Sequence, residues 1–322
     1  MMNRIIDKNK YMAAILGFVV GDALGVPVEF KSRTELMSEP VTDMIGYGTH
    51  NQPAGTWSDD TSMVIATMEW LNEMGDEKPD FTLLMDKFTS WIMHGEYTPH
   101  GYTFDYGIST RKAIANYRCG FELLECGGQS EYDNGNGSLM RILPVALGKN
   151  LTPEFVFDVS SLTHAHARSK IGCFIYTKLI EDLLCCNDDN KLEVLKNSLM
   201  NTKEILEDLE NPQIRSEIAV YERLWNVEDF QMQKEENIKS SGYVVDTLEA
   251  AVWCFLNTDN YKDCVLKAVN LGDDTDTVGA VAGGLAGLYY GLEAIPENWI
   301  EILPRKDWIM ELANEMIGRV VE

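Results

Sequence analysis

The chain has 322 residues, 45% of them apolar and 24% charged, which is enough for one large domain or two ordinary ones and too apolar for extended disorder. Its 27 basic and 51 acidic residues leave a formal net charge of −24, which disfavours nonspecific binding to nucleic acid or anionic membranes. Seven cysteines (Cys119, Cys126, Cys173, Cys185, Cys186, Cys254, Cys264), odd in number and without a CxxC pair, read as buried reduced thiols of a cytoplasmic protein, not as disulfides or a structural zinc site.

In chain order, the charged start MMNRIIDKNK and the run Tyr11–Gly21, which meets Asp22 instead of a cleavage site, do not make a secretory signal. The residues from Tyr11 to Leu24 read as a helix whose Gly17, Gly21 and Gly25 share one face and allow close backbone packing. Gly25 and Pro27 stop it and leave Glu29 on a loop. The segment 61–74 carries Met63, Val64, Ala66, Thr67 and Trp70 at helical spacing, and 81–94 ends at Gly95. Further helices are expected over 108–119, 153–160, 169–186, 191–209, 244–256, 261–270, 277–290 and 307–320. No run has clean period-two alternation, so an all-α chain forming a single domain over 1–322 is expected. The acidic stretch 187–239 keeps helical spacing at Leu192, Leu195, Leu199, Ile218, Tyr221 and Leu224, and reads as variable surface helices on that domain. The charge-free stretch Val278–Leu292 is short for a bilayer, and no membrane association is expected.

The chemistry concentrates in two clusters. Gly272-Asp-Asp-Thr-Asp-Thr-Val-Gly puts three carboxylates and two hydroxyls within five residues, a repulsive arrangement unless a hard divalent cation neutralises it. Thr56-Trp-Ser-Asp-Asp-Thr-Ser-Met has the same character and, like the first, opens a helix. Alone it would be an N-cap with acidic first-turn residues; two helix N-termini aimed at one point would instead make a dinuclear site. Asn134-Gly-Asn-Gly-Ser-Leu-Met-Arg141 holds two glycines that permit positive φ and would expose backbone N–H groups, suited to a tight turn or to phosphate. Thr163-His-Ala-His offers His164 and His166 without a third zinc ligand nearby, so these are expected to pack or hydrogen-bond beside the site.

GDALGVPVEF, TWSDDTSM, GNGSLMRILPVA, THAHARS and NLGDDTDTVGAVAGGLAGLYYG, running in this order between residues 17 and 291, resemble the ADP-ribosylglycohydrolase family. That resemblance implies a compact orthogonal bundle of helices with two Mg²⁺ (or Mn²⁺) ions at the bottom of an ADP-ribose cleft. It implies Ser58, Asp59, Asp60, Asp274, Asp276 and Thr277 as metal ligands. Asp273, where relatives often have Gly, is left as a cap or a group behind the ligands. Glu29 resembles the family's loop glutamate at the metals, and Asp105 a second acidic residue approaching the substrate; with Asp60 and Asp274 they form the expected catalytic set. Gly135, Asn136, Gly137 and Ser138 resemble the diphosphate turn, and His164 a cleft-wall residue. The implied activity is metal-dependent hydrolysis of the glycosidic bond between ADP-ribose and an acceptor, with the WSDDTSM pattern leaning towards protein arginine. The alternatives are a catalytically silent ADP-ribose-binding protein and an immunity protein that occludes a toxin transferase.

Overall fold

The computed structural model describes residues 7–75, 78–149, 151–185 and 190–321. Among these, eleven helices have nine residues or more. They are α1 Lys8–Gly25, α2 Asp59–Met74, α3 Phe81–His94, α4 Ile108–Arg118, α5 Pro153–Ser161 and α6 Ala167–Cys185, then α7 Lys191–Asp208, α8 Val244–Leu256, α9 Tyr261–Val269, α10 Thr275–Tyr290 and α11 Lys306–Val321. Shorter helical turns connect them, and the described residues contain no β-strand, only three isolated bridges. The fold is all-α. Two bounds from periodicity, 81–94 and 244–256, coincide with the observed helices. The short helix Arg33–Ser38 escaped that reading, although Ser32 and Glu35 form a capping box, a signal legible in sequence.

The centre of the bundle is the antiparallel pair α1 and α10. A Cβ on Gly17 would lie 2.5 Å from the Gly283 carbonyl oxygen, one on Gly21 would lie 2.1 Å from that of Gly279, and one on Gly25 would lie 2.3 Å from Asp276 Cα. The expected glycine face is therefore real, and it brings backbone onto backbone. The Tyr261 hydroxyl on α9 closes the same seam by donating to the Gly17 carbonyl at 2.7 Å. Helix α1, extended through 28, is apolar and long enough to cross a membrane, but its apolar stretch from Tyr11 to Val28 is buried inside the bundle, with only Lys8, Asn9 and Lys10 reaching the surface. One continuous hydrophobic core runs from Tyr11 to Ile317.

The described part of 187–239 is more than surface decoration. Leu195, Leu199, Tyr221, Leu224 and Phe230 are buried in the common core, and the Tyr221 hydroxyl donates to the Arg168 carbonyl at 2.8 Å. The stretch also returns to the centre. Arg33 donates to the carbonyls of Glu235 and Ile238 at 2.6 Å and of Leu271 at 2.8 Å, tying its end to the segment before α10. Residues 187–189 and Cys186 lie outside the described residues. Of the other cysteines, Cys126, Cys173, Cys254 and Cys264 are buried free thiols as expected, whereas Cys119 and Cys185 are exposed because they sit at helix ends on the surface.

Candidate active site

Because α1 and α10 are antiparallel, the C-terminal end of α1 meets the N-terminal end of α10. Asp22, in the last turn of α1, then recruits α2. Its carboxylate accepts from the Ser58 N–H at 2.9 Å, from the Thr61 N–H at 3.0 Å and from the Thr61 hydroxyl at 2.6 Å. This capping of α2 from another helix satisfies N–H groups that a helix start leaves open. The two acidic clusters, far apart in sequence, thereby face one another at the junction of α1, α2 and α10.

Asp60 and Asp276 are almost fully buried, and Asp59 nearly so. Burial first, and then neighbouring carboxylates, push all three well above the usual carboxylate range: Asp105 and Glu29 act on Asp59, Asp22 and Asp59 on Asp60, and Glu29 and Asp60 on Asp276. Asp22 is raised to about 6 by burial, against the hydrogen bonds it accepts from Thr61 and Ser58. Asp60 Oδ1 accepts weakly from the Thr277 hydroxyl at 3.3 Å, and Asp60 Oδ2 is buried with no hydrogen-bond partner among the described residues. A buried, unsatisfied carboxylate oxygen amid like charges is unfavourable unless a cation is bound. The oxygens of Asp22, Asp60 and Asp276, and of Glu29, Asp274 and Asp276, lie close enough in each group to hold one ion. Hard oxygen donors of this kind fit Mg²⁺ or Mn²⁺. Ser58 is the N-cap of α2, with its hydroxyl accepting from Asp60 N–H at 3.2 Å, and Thr277 is buried in the first turn of α10.

Glu29 follows the 3₁₀ turn Val26–Val28 and is buried, not solvated as a loop glutamate usually is. Its backbone is held by α10's lead-in: the Phe30 N–H donates to the Asp273 carbonyl at 2.7 Å, and the Asp273 N–H to the Lys31 carbonyl at 2.8 Å. Asp273 is thus not the cap of α10, a position taken by Asp274. It is exposed, and its φ of 60° is left-handed backbone, which explains why glycine suits this position. Glu29 Oε2 is engaged by His50 Nε2, and burial raises the glutamate to about 7 against that hydrogen bond. Its bond to Glu29 raises His50 above its ordinary value. His50 was not foreseen. It lies in a loop with no motif of its own, and packs between Phe30 and Phe104, with ring centroids at 6.0 and 5.4 Å. Asp105 is half-buried beside this pair and is raised chiefly by burial.

The 135–138 turn reaches the carboxylates through Asn136, whose amide donates to Asp274 Oδ2 and to the Thr247 hydroxyl, both at 2.9 Å. The segment Ser240–Tyr243, also unforeseen, joins the two halves. The Asp274 N–H donates to the Ser240 carbonyl at 3.0 Å, the Asn136 N–H donates to the Gly242 carbonyl at 3.0 Å, and Gly242 leaves room for Asp274. One detail differs from expectation. Gly135 and Gly137 do not use positive φ; glycine at 137 provides space instead, because a Cβ there would meet His164 Cε1 at 2.7 Å. His164 packs against Gly135 and Gly137 and is almost fully buried. It is bonded to the Thr163 hydroxyl at 2.8 Å, and kept neutral by burial and by Arg141, which lower it to about 3. The Ser138 hydroxyl likewise points inward, to Ser160 at 2.9 Å. His166 accepts from the Arg168 N–H at 3.2 Å beside the start of α6.

The chain is 34% identical to an ADP-ribosylarginine hydrolase Tri1 of Pseudomonas putida, over 98% of this chain and 79% of that protein. It is 29% identical to the ADP-ribosyl-[dinitrogen reductase] glycohydrolase of Rhodospirillum rubrum, over 92% and 91% of the two chains. A solved structure titled ADP-ribosylglycohydrolase-related protein complex superposes with a TM-score of 0.77 at 29% identity, covering 97% of this chain and 98% of that one. The profile of the ADP-ribosylglycohydrolase family matches residues 3–322, and the chain therefore belongs to this family of hydrolases.

Proposed function

We propose that the protein hydrolyses the N-glycosidic bond between ADP-ribose and an arginine side chain, using two divalent cations, Mg²⁺ in the first instance. One observation carries the reading: the carboxylates of Asp22, Asp60 and Asp276 and those of Glu29, Asp274 and Asp276 form two groups that share Asp276, and Asp60 Oδ2 is buried with no hydrogen-bond partner among the described residues. The acceptor is supported by two relatives named ADP-ribosylarginine hydrolase Tri1, at 34% and 33% identity.

Ser58, Asp59, Asp60, Asp274, Asp276 and Thr277 would hold the cations, which when bound supply charge neutralisation and polarisation of ribose hydroxyls and water. Backbone N–H groups of the 135–138 turn would take the diphosphate, and Asn136, tied to Asp274, would keep that turn in register with the carboxylates. The substrate guanidinium is cationic. As the bond from the anomeric carbon to nitrogen breaks, its electron pair goes to nitrogen and neutral guanidine leaves, while a water oxygen bonds to the anomeric carbon. Glu29, buried beside the carboxylates and engaged by His50, accepts the proton lost by that water and the leaving guanidine recovers it. Asp105 lies on the Glu29–His50 side and would face the departing guanidinium. Four buried free thiols support a reducing, cytoplasmic setting.

The test is release of ADP-ribose from an ADP-ribosylarginine protein, measured against serine-linked and base-linked substrates. Activity should vanish with chelator, return with Mg²⁺ or Mn²⁺, and be absent in the Asp274→Ala/Asp276→Ala double variant. Full activity of that variant would overturn the metal assignment, and turnover confined to another linkage would overturn the acceptor.

A further inference from the structure

Arg141 is fully buried, yet no carboxylate pairs with it among the described residues of a chain carrying 51 acidic side chains. One guanidinium nitrogen donates to the Val159 carbonyl at 2.9 Å and another reaches the Gly137 carbonyl at 3.4 Å; the buried Nε–H has no partner among the described residues. The guanidinium carbon sits 5.1 Å above the Phe88 ring. The two titrating groups that Arg141 acts on are held neutral, His164 by burial and by Arg141, and the Cys173 thiol by burial. Burial lowers Arg141 only to about 10, so it remains a cation at neutral pH. An uncompensated buried cation is among the costlier features a fold can carry.

Its location gives the cost a purpose. Arg141 lies directly behind the 135–138 turn, where the backbone N–H groups of buried Gly137 and Ser138 have no protein acceptor among the described residues. The carbonyl that Arg141 reaches belongs to the Gly137–Ser138 peptide, and a cation on that oxygen strengthens the Ser138 N–H as a donor. We infer that Arg141 is a positioning residue that serves as the built-in counter-charge for the anionic part of the ligand on this turn. The inference rests on the turn being the diphosphate site. It explains how a protein of net charge −24, with the Asp274 carboxylate bonded to the turn through Asn136, can favour an anion there.

The experiment measures the dissociation constant of ADP-ribose by titration calorimetry at saturating Mg²⁺, and that of Mn²⁺ by electron paramagnetic resonance. It uses the full chain and its Arg141→Lys and Arg141→Gln variants. Lys keeps the charge and should bind ADP-ribose within about threefold of wild type. Gln keeps a hydrogen bond without the charge and should weaken ADP-ribose by about tenfold or more, with Mn²⁺ affinity unchanged or tighter. A residue that only braces the turn would not separate the two ligands in this way. Unchanged ADP-ribose affinity in Gln, or equal loss of both ligands, overturns the inference and leaves the diphosphate site standing. Failure of the wild-type protein to bind ADP-ribose removes the diphosphate reading, and the inference with it. If Gln does not fold, Arg141→Met, which fills the volume and keeps the contact with Phe88, makes the same comparison.

Discussion

At the scale of single residues, the site trades stability for function. Asp60 combines complete burial, like-charged neighbours and an unpartnered oxygen. Asp60→Asn removes a charge the apo fold disfavours, so it should raise the melting temperature in chelator while lowering kcat/KM by about a hundredfold or more. Loss of both stability and activity would mean that Asp60 is a structural residue. Asp273 makes the opposite kind of prediction. Its left-handed backbone is required by the two hydrogen bonds that hold the Glu29 loop, and its side chain is exposed. Asp273→Gly should therefore leave stability nearly unchanged, whereas Asp273→Ala should be less stable than the Gly variant by about 1 kcal/mol, read from urea midpoints at constant slope. The acidic, hydroxyl-rich character of the 56–63 and 272–279 clusters was legible because carboxylates and hydroxyls crowd a few adjacent positions, whereas the choice of ligands within them came from the family resemblance. His50, Asp22 and Ser240–Tyr243 were not legible, because each acts through a partner distant in sequence: Glu29, the start of α2, and the pair Asn136 and Asp274.

At the scale of elements, the α1–α10 seam sets the geometry of everything else. Gly21→Ala would force a Cβ to 2.1 Å from the Gly279 carbonyl oxygen, and neither backbone can yield without shifting its helix. We expect a loss of about 3 kcal/mol in urea unfolding. Activity should fall at temperatures where the variant is still folded, because α1 carries Asp22, α10 carries Asp276, and the seam fixes their separation. Near-wild-type activity with lowered stability would show that the site tolerates a helix shift. The glycine spacing announced this seam in the sequence, but not its partner. That is why residues 277–290 read as an apolar helix without a destination. The 187–239 stretch read as peripheral because its polar composition hides a few core anchors, such as Tyr221 and Phe230, among many solvated positions.

At the scale of the whole molecule, charge governs stability. Glu29 and Glu249, raised to about 7, Asp22, raised to about 6, and Asp59, Asp60 and Asp276, raised well above the usual carboxylate range, all bind protons more tightly folded than unfolded. Their contribution to stability is present at low pH and is lost as pH rises from the ordinary carboxylate range through the raised values. Glu69 and Asp43 are lowered and act in the opposite sense, only below about pH 5. In chelator, the melting temperature should thus fall between about pH 5 and pH 8. Added Mg²⁺ should raise it, by more at pH 8 than at pH 6, since a cation replaces protons on the same oxygens. A Mg²⁺ shift independent of pH, or none, would argue against cations at the carboxylates.

The amino-acid order alone determined the helical class, most helix positions and the chemical identity of the two acidic clusters, because periodicity and local crowding of side chains are properties of adjacent residues. Only the tertiary structure decided that the clusters meet, since this depends on antiparallel packing of α1 on α10 and on Asp22 capping α2 across the bundle. It also decided that Glu29 is buried against His50, that glycine at 137 makes room for His164, and that Arg141 is buried behind the turn with no carboxylate partner among the described residues. Burial, desolvation and through-space charge are set by neighbours far along the chain, and they have no local signature in the sequence.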